Sequence, residues 1–87
     1  MFIVVHHNIS DPGAFWTAAQ QSLPNLPEAG TKRVLSVLPN KDMTQATCVW
    51  EADSIETLDS YLRSKVGNAS KETFYELNEA NAIGLNK

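Results

Sequence analysis

The sequence predicts an α+β fold of the order βαββαβ, a four-stranded antiparallel sheet in the order 4-1-3-2 with two helices on one face. Three observations predict it. Four short segments rich in β-branched and aromatic residues alternate with two segments whose apolar residues recur at helical spacing. Turn-forming residues fall between them: Ser10-Asp11-Pro12-Gly13, Pro24 to Gly30, Pro39 to Asp42, and Gly67. Right-handed crossovers and a hairpin joining the second and third strands then leave this sheet order.

The first strand is residues 1–8, MFIVVHHN, which end in turn chemistry. Asp11 is placed to cap the first helix, with Pro12 at the first helical position, where its missing N–H costs nothing. Phe15, Ala19 and Leu23 form one stripe of that helix, with Trp16 beside it, and Pro24, Pro27 and Gly30 end it. Thr31 to Leu38 and Thr44 to Ala52 are the hairpin strands. In Asp53-Ser54-Ile55-Glu56 the spacing fits a capping box on Asp53, with Glu56 three residues later. The second helix carries Ile55, Leu58, Leu62 and Val66 on one side and stops near Gly67. Residues 68–72 read as a loop, Thr73 to Glu79 as the fourth strand, and Ala82 to Leu85 as a small apolar tail.

Composition narrows the class. At 87 residues the chain reads as one domain, 1–87, and a chain of this size buries only about 60% of its unfolded surface, so its core is thin. Net charge is −3 and the basic residues are scattered, which argues against nucleic acid. The apolar run Phe2 to Val5 is too short for a signal peptide, and no stretch could span a bilayer. A single cysteine, Cys48, allows no internal disulfide. Together these features point to a cytoplasmic protein.

The strands carry apolar residues on both sides. Phe2 and Val4 oppose Ile3 and Val5, Leu35 and Val37 oppose Val34 and Leu38, and Ala46, Cys48 and Trp50 oppose Val49. A sheet with one wet face would alternate apolar with polar. Two helices cover one face only, so the expectation is a homodimer through the other.

The element order, the two-faced strands and the stretches "HHNISDPGAFW", "CVWEADSIETLDSYL" and "TFYELNEANAIGL" resemble small bacterial proteins of the dimeric α+β barrel superfamily, which has the ferredoxin-like fold. The resemblance implies that fold and a face-to-face sheet dimer. It implies no single activity. The superfamily includes cofactor-free antibiotic-biosynthesis-type monooxygenases, muconolactone-isomerase-like enzymes, heme-degrading proteins and stress-responsive proteins, and none of their catalytic constellations can be placed here residue by residue.

The residues with most chemistry are His6 and His7. Successive strand residues point to opposite faces, so one should meet the helices and the other the partner sheet, and both can bind one metal ion only through a bulge. His7 is the preferred helix-facing residue. With Trp16 and Tyr75 it would line a cleft for a compact, partly apolar molecule, serving as proton acceptor or hydrogen-bond donor. The plain alternative is a half-buried histidine bonded to backbone; a non-catalytic sensory or metal-binding module using one histidine per subunit and a purely structural dimerisation domain also stay open. Whether the protein is an enzyme does not follow, and no cofactor is implied. Cys48 reads as a buried hydrophobe, Trp50 and Tyr61 as packing residues, and Glu51, Glu76 and Asp53 as edge carboxylates.

Other proteins with this element order fit poorly. An ACT-like ligand turn is not needed to explain Asp11-Pro12, which helix-start preferences already favour. "TQATCVWE" lacks the aromatic and basic pattern of an RNA-recognition strand. One cysteine cannot make Cys-x-x-Cys, and "NISDPG" has no arginine for an acylphosphatase-like phosphate loop.

Overall fold

A computed structural model describes the chain from Met1 to Lys87. Its elements are β1 (Phe2–Ile9), α1 (Pro12–Ser22), β2 (Thr31–Pro39), β3 (Gln45–Ala52), α2 (Ile55–Val66) and β4 (Ser70–Glu76), with single 3₁₀ turns at Leu23–Asn25 and Glu79–Asn81. The four antiparallel strands lie in the order β2-β3-β1-β4, which is the expected 4-1-3-2 read from the other edge. No helix is long and apolar enough to cross a membrane.

Strand alternation sorts the side chains. Ile3, Val5, His7 and Ile9 of β1 face the helices, as do Ala46, Cys48, Trp50 and Ala52 of β3, and all are buried. With Phe15 of α1 and Leu58, Tyr61 and Leu62 of α2 these residues form the core, His7 its one polar member on β1. Asp11 Oδ1 accepts a hydrogen bond from the Ala14 N–H at 3.1 Å, so α1 begins at the expected cap.

Four details differ from the sequence reading. The cap of α2 is Ser54, not Asp53: its Oγ accepts from the Thr57 N–H at 3.0 Å and donates to Thr57 Oγ1 at 2.8 Å, so Glu56 has no part in a box. β4 starts at Ser70 rather than Thr73 and ends at Glu76, because Ser70 and Glu72 pair with Ile9 and His7 and turn inward. A register shift between Val34 and Ser36 puts Val34 and Val37 on the same, helix-facing side of β2, whereas strict alternation opposes them. Finally, the chain covers part of its own open face. Phe2 and Val4 are buried, and the Arg33 guanidinium and Lys87 ammonium lie 6.0 and 5.8 Å from the centre of the Phe2 ring. The apolar area left open is therefore smaller than the strand pattern implies.

Candidate functional site

The helix-facing side of β1 carries a buried polar cluster that begins with His7, 1% exposed. Its Nδ1 lies 2.8 Å from Oε2 of Glu72, directly across the β1–β4 pair, and the Glu72 side chain is 1% exposed. A carboxylate so deep must be paired. Arg63, near the end of α2, reaches Oε1 with Nη2, and the Ser70 hydroxyl donates to Oε2. Arg63 Nη1 also donates to the Ser70 carbonyl at 3.1 Å and to the Gly67 carbonyl, tying the helix end to the start of β4.

Burial, followed by the nearby charges of His6 and Arg63, holds the His7 pKa down to about 4. The carboxylate beside it does not reverse this, because its charge is already matched by Arg63; a proton on His7 would place a second cation beside one anion. The imidazole is therefore neutral at physiological pH. Its other close neighbour is Phe15 of α1, whose ring meets it edge-on with centroids 5.0 Å apart.

His7 is also part of the wall of a cavity of about 40 Å³ between α1, α2 and the sheet, whose other walls include Phe15, Trp16, Cys48, Trp50 and Tyr61. The lining is mainly apolar. Two of its members, however, hold buried polar atoms that no protein group satisfies, Trp50 Nε1 and the Tyr61 hydroxyl. Lys65 lines the cavity too, with its ammonium committed to Glu28 Oε2 at 2.7 Å. Burial pushes the Cys48 thiol up to about 11, so it stays protonated and acts as a small hydrophobe.

The structure thus brings His7 and Trp16 to one cavity. The Trp16 nitrogen is not free there: Nε1–H donates to the Met43 carbonyl at 3.0 Å, which leaves the indole as wall. Tyr75 does not join them. It pairs with Val4, so it stands on the opposite face of the sheet and is 62% exposed; alternation assigns the helix-facing place next to it to Phe74. His6 faces the same way as Tyr75, with Nδ1 3.1 Å from Thr47 Oγ1. The two histidines therefore do not converge on a common ion, and nowhere do three or more His, Cys, Asp or Glu side chains gather as a metal site would require. Glu72, Arg63 and Ser70 have no sequence signature, since two of them lie in a polar stretch that reads as loop. The one available signal is that a strand starting at Ser70 would set Glu72 opposite His7.

No family model matches the chain, and no curated relative matches its sequence. Solved structures do match its shape. One from Bordetella bronchiseptica, provisionally named an antibiotic biosynthesis monooxygenase, has a TM-score of 0.55 and 14% identity over 87% of this chain and 95% of its own. A protein of the same provisional name from Nitrosomonas europaea has a TM-score of 0.56 and 13% identity over 93% of each chain. Rv0793 from Mycobacterium tuberculosis has a TM-score of 0.55 and 18% identity over 92% of this chain and 98% of its own. At these identities the likeness is one of fold, and at that level it agrees with the resemblance carried by the sequence: the chain has the ferredoxin-like α+β fold of these structures.

Proposed function

We propose that the protein is a homodimer that binds a compact, largely apolar molecule between sheet and helices, with His7 as the hydrogen-bond acceptor for a donor group on that molecule. One observation carries the reading: three residues that hold buried polar atoms, His7, Trp50 and Tyr61, contribute their apolar surfaces to one cavity, and the Trp50 and Tyr61 polar atoms behind that surface lack a protein partner. A buried polar atom left without a partner costs about 1–3 kcal/mol, and a ligand that bonds to it recovers that cost. The enclosed space takes only one or two water-sized groups. A larger ligand enters by displacing cover, and α1, which buries only Phe15, is the element that gives.

Two of these solved structures carry a provisional monooxygenase name, but an imidazole held near pKa 4 is too weak a base to ionise a bound substrate. The reading stops at binding and hydrogen-bond acceptance. Sharing of one metal ion by both histidines of a subunit is disfavoured because His6 and His7 serve opposite faces of the sheet.

Phenol and toluene test the site, since they share a ring and differ by one donor. Wild-type protein should show saturable binding of phenol by chemical-shift titration, with toluene at least about ten-fold weaker, equivalent to about 1.4 kcal/mol. His7→Ala should abolish the preference for phenol. Saturable binding of neither probe would refute the proposal and favour a purely structural dimerisation domain.

A further inference from the structure

Resting on the reading of His7 as a hydrogen-bond acceptor, we infer that Glu72 is its positioning residue: the carboxylate, itself held by Arg63 and Ser70, fixes His7 as the Nδ1–H tautomer and leaves the Nε2 lone pair as the ring's acceptor. A neutral imidazole has one N–H and one lone pair, and its partners decide which nitrogen carries which. Nδ1 lies 2.8 Å from Glu72 Oε2. An ionised carboxylate can only accept, so Nδ1 must donate.

The other partners of Glu72 keep it ionised. A guanidinium can only donate, so Arg63 Nη2 at Oε1 demands a bare carboxylate oxygen, and the Ser70 hydroxyl donates to Oε2. The Gly67 and Ser70 carbonyls hold Arg63 Nη1 and so pin the guanidinium in place. Nothing else about the ring sets a tautomer. On α1 its neighbour is Phe15, on β3 its pair is Ala46, and His6 points to the other face of the sheet. Exchange of Glu72 for Gln would then do more than weaken a bond. Arg63 would keep the amide oxygen, and the amide NH₂ would be left to donate to Nδ1. The ring would invert, and a hydrogen-bond donor would take the place of the acceptor at Nε2.

Long-range ¹H–¹⁵N spectra of the His7 ring in the ligand-free full chain read the tautomer directly. In the wild type Nδ1 should carry the proton and Nε2 should be bare; in Glu72→Gln the two signals should exchange. An Nε2–H tautomer in the wild type overturns the inference, and so does an unchanged tautomer in a folded Glu72→Gln protein. Arg63 is partly exposed, so Arg63→Gln gives a second measurement if Glu72→Gln does not fold. Without its guanidinium partner Glu72 should draw a proton onto His7, moving the ring's titration midpoint up from about 4 by about one unit or more. A midpoint that stays in place overturns the role given to Glu72 and Arg63. These spectra need no ligand, so their failure leaves the phenol test standing, and loss of phenol binding leaves the tautomer assignment standing.

Discussion

His7 spends its life as an uncharged residue in a core, and that has a thermodynamic signature. Its pKa is about 4 in the folded protein against an ordinary 6.5. Between those values the unfolded chain binds a proton that the folded chain refuses. The His7 contribution to stability is therefore complete above about pH 6.5 and declines as pH falls, by up to about 1.4 kcal/mol per unit. Below about pH 4 both states are protonated and the decline stops, after a loss of about 3 kcal/mol. Urea unfolding from pH 7 to pH 4 should show the wild type losing stability faster than His7→Gln, which has no imidazole to protonate. Parallel curves for the two proteins would mean that His7 is not held neutral by the fold.

At the scale of elements, most of the chain was legible because its apolar periodicities are strong. β1, the hairpin and the two helices follow from Phe2 to Val5, Thr31 to Ala52, and the stripe Ile55, Leu58, Leu62 and Val66. The start of β4 was not, for a physical reason that also hid the site. Ser70 and Glu72 face inward with no apolar character, and what stabilises them there is Arg63 and His7, distant in sequence. A local pattern cannot show a polar residue whose partners come from other elements. Tyr75 erred in the same direction, because a slip of one residue in β4 moves every side chain to the other face.

The joints between elements can be tested through two glycines with positive φ. Gly30, at φ +77° just before β2, would place a Cβ 2.6 Å from Thr57 Cγ2 and 2.9 Å from Asp53 Oδ2. Gly67, at φ +56° after α2, has open space around it. Both substitutions to Ala put a Cβ on a backbone of positive φ. The left-handed helical well costs about 1–2 kcal/mol, and Gly67, at ψ −126°, lies outside that well and costs more. Only Gly30→Ala adds a steric cost, where the hairpin entry packs against the first turn of α2. Thermal unfolding should show both variants melting below the wild type, Gly30→Ala for contact and backbone and Gly67→Ala for backbone alone. A Gly30→Ala protein that melts with the wild type would show that the Gly30 contact yields freely.

At the scale of the whole molecule, the thin side of the protein is the sheet face that no helix covers. Only 17 of 87 residues are buried in the single chain, so added cover would matter to its stability. On that face Phe2 and Val4 are already shielded, while Tyr75 on β4 and Leu38 on β2 are 62% and 61% exposed. Thr47 of β3 and His6 of β1 lie between them, so the face is mixed rather than oily. A second copy laid across it would bury Tyr75 and Leu38 at the two edges of a sheet-to-sheet contact, where they would close its rim against water. Light scattering at micromolar concentration should therefore give twice the mass of the chain. Tyr75→Glu should weaken association at least about ten-fold, about 1.4 kcal/mol, because it sets a carboxylate in the contact. Its far-ultraviolet spectrum should be unchanged, since Tyr75 takes no part in the helix-side core. The wild-type melting temperature should also rise with protein concentration, as it must when folding and association are linked. A wild type that scatters as a monomer and melts at one temperature across that range would remove the dimer, and with it the explanation for two large exposed side chains on a strand-rich face.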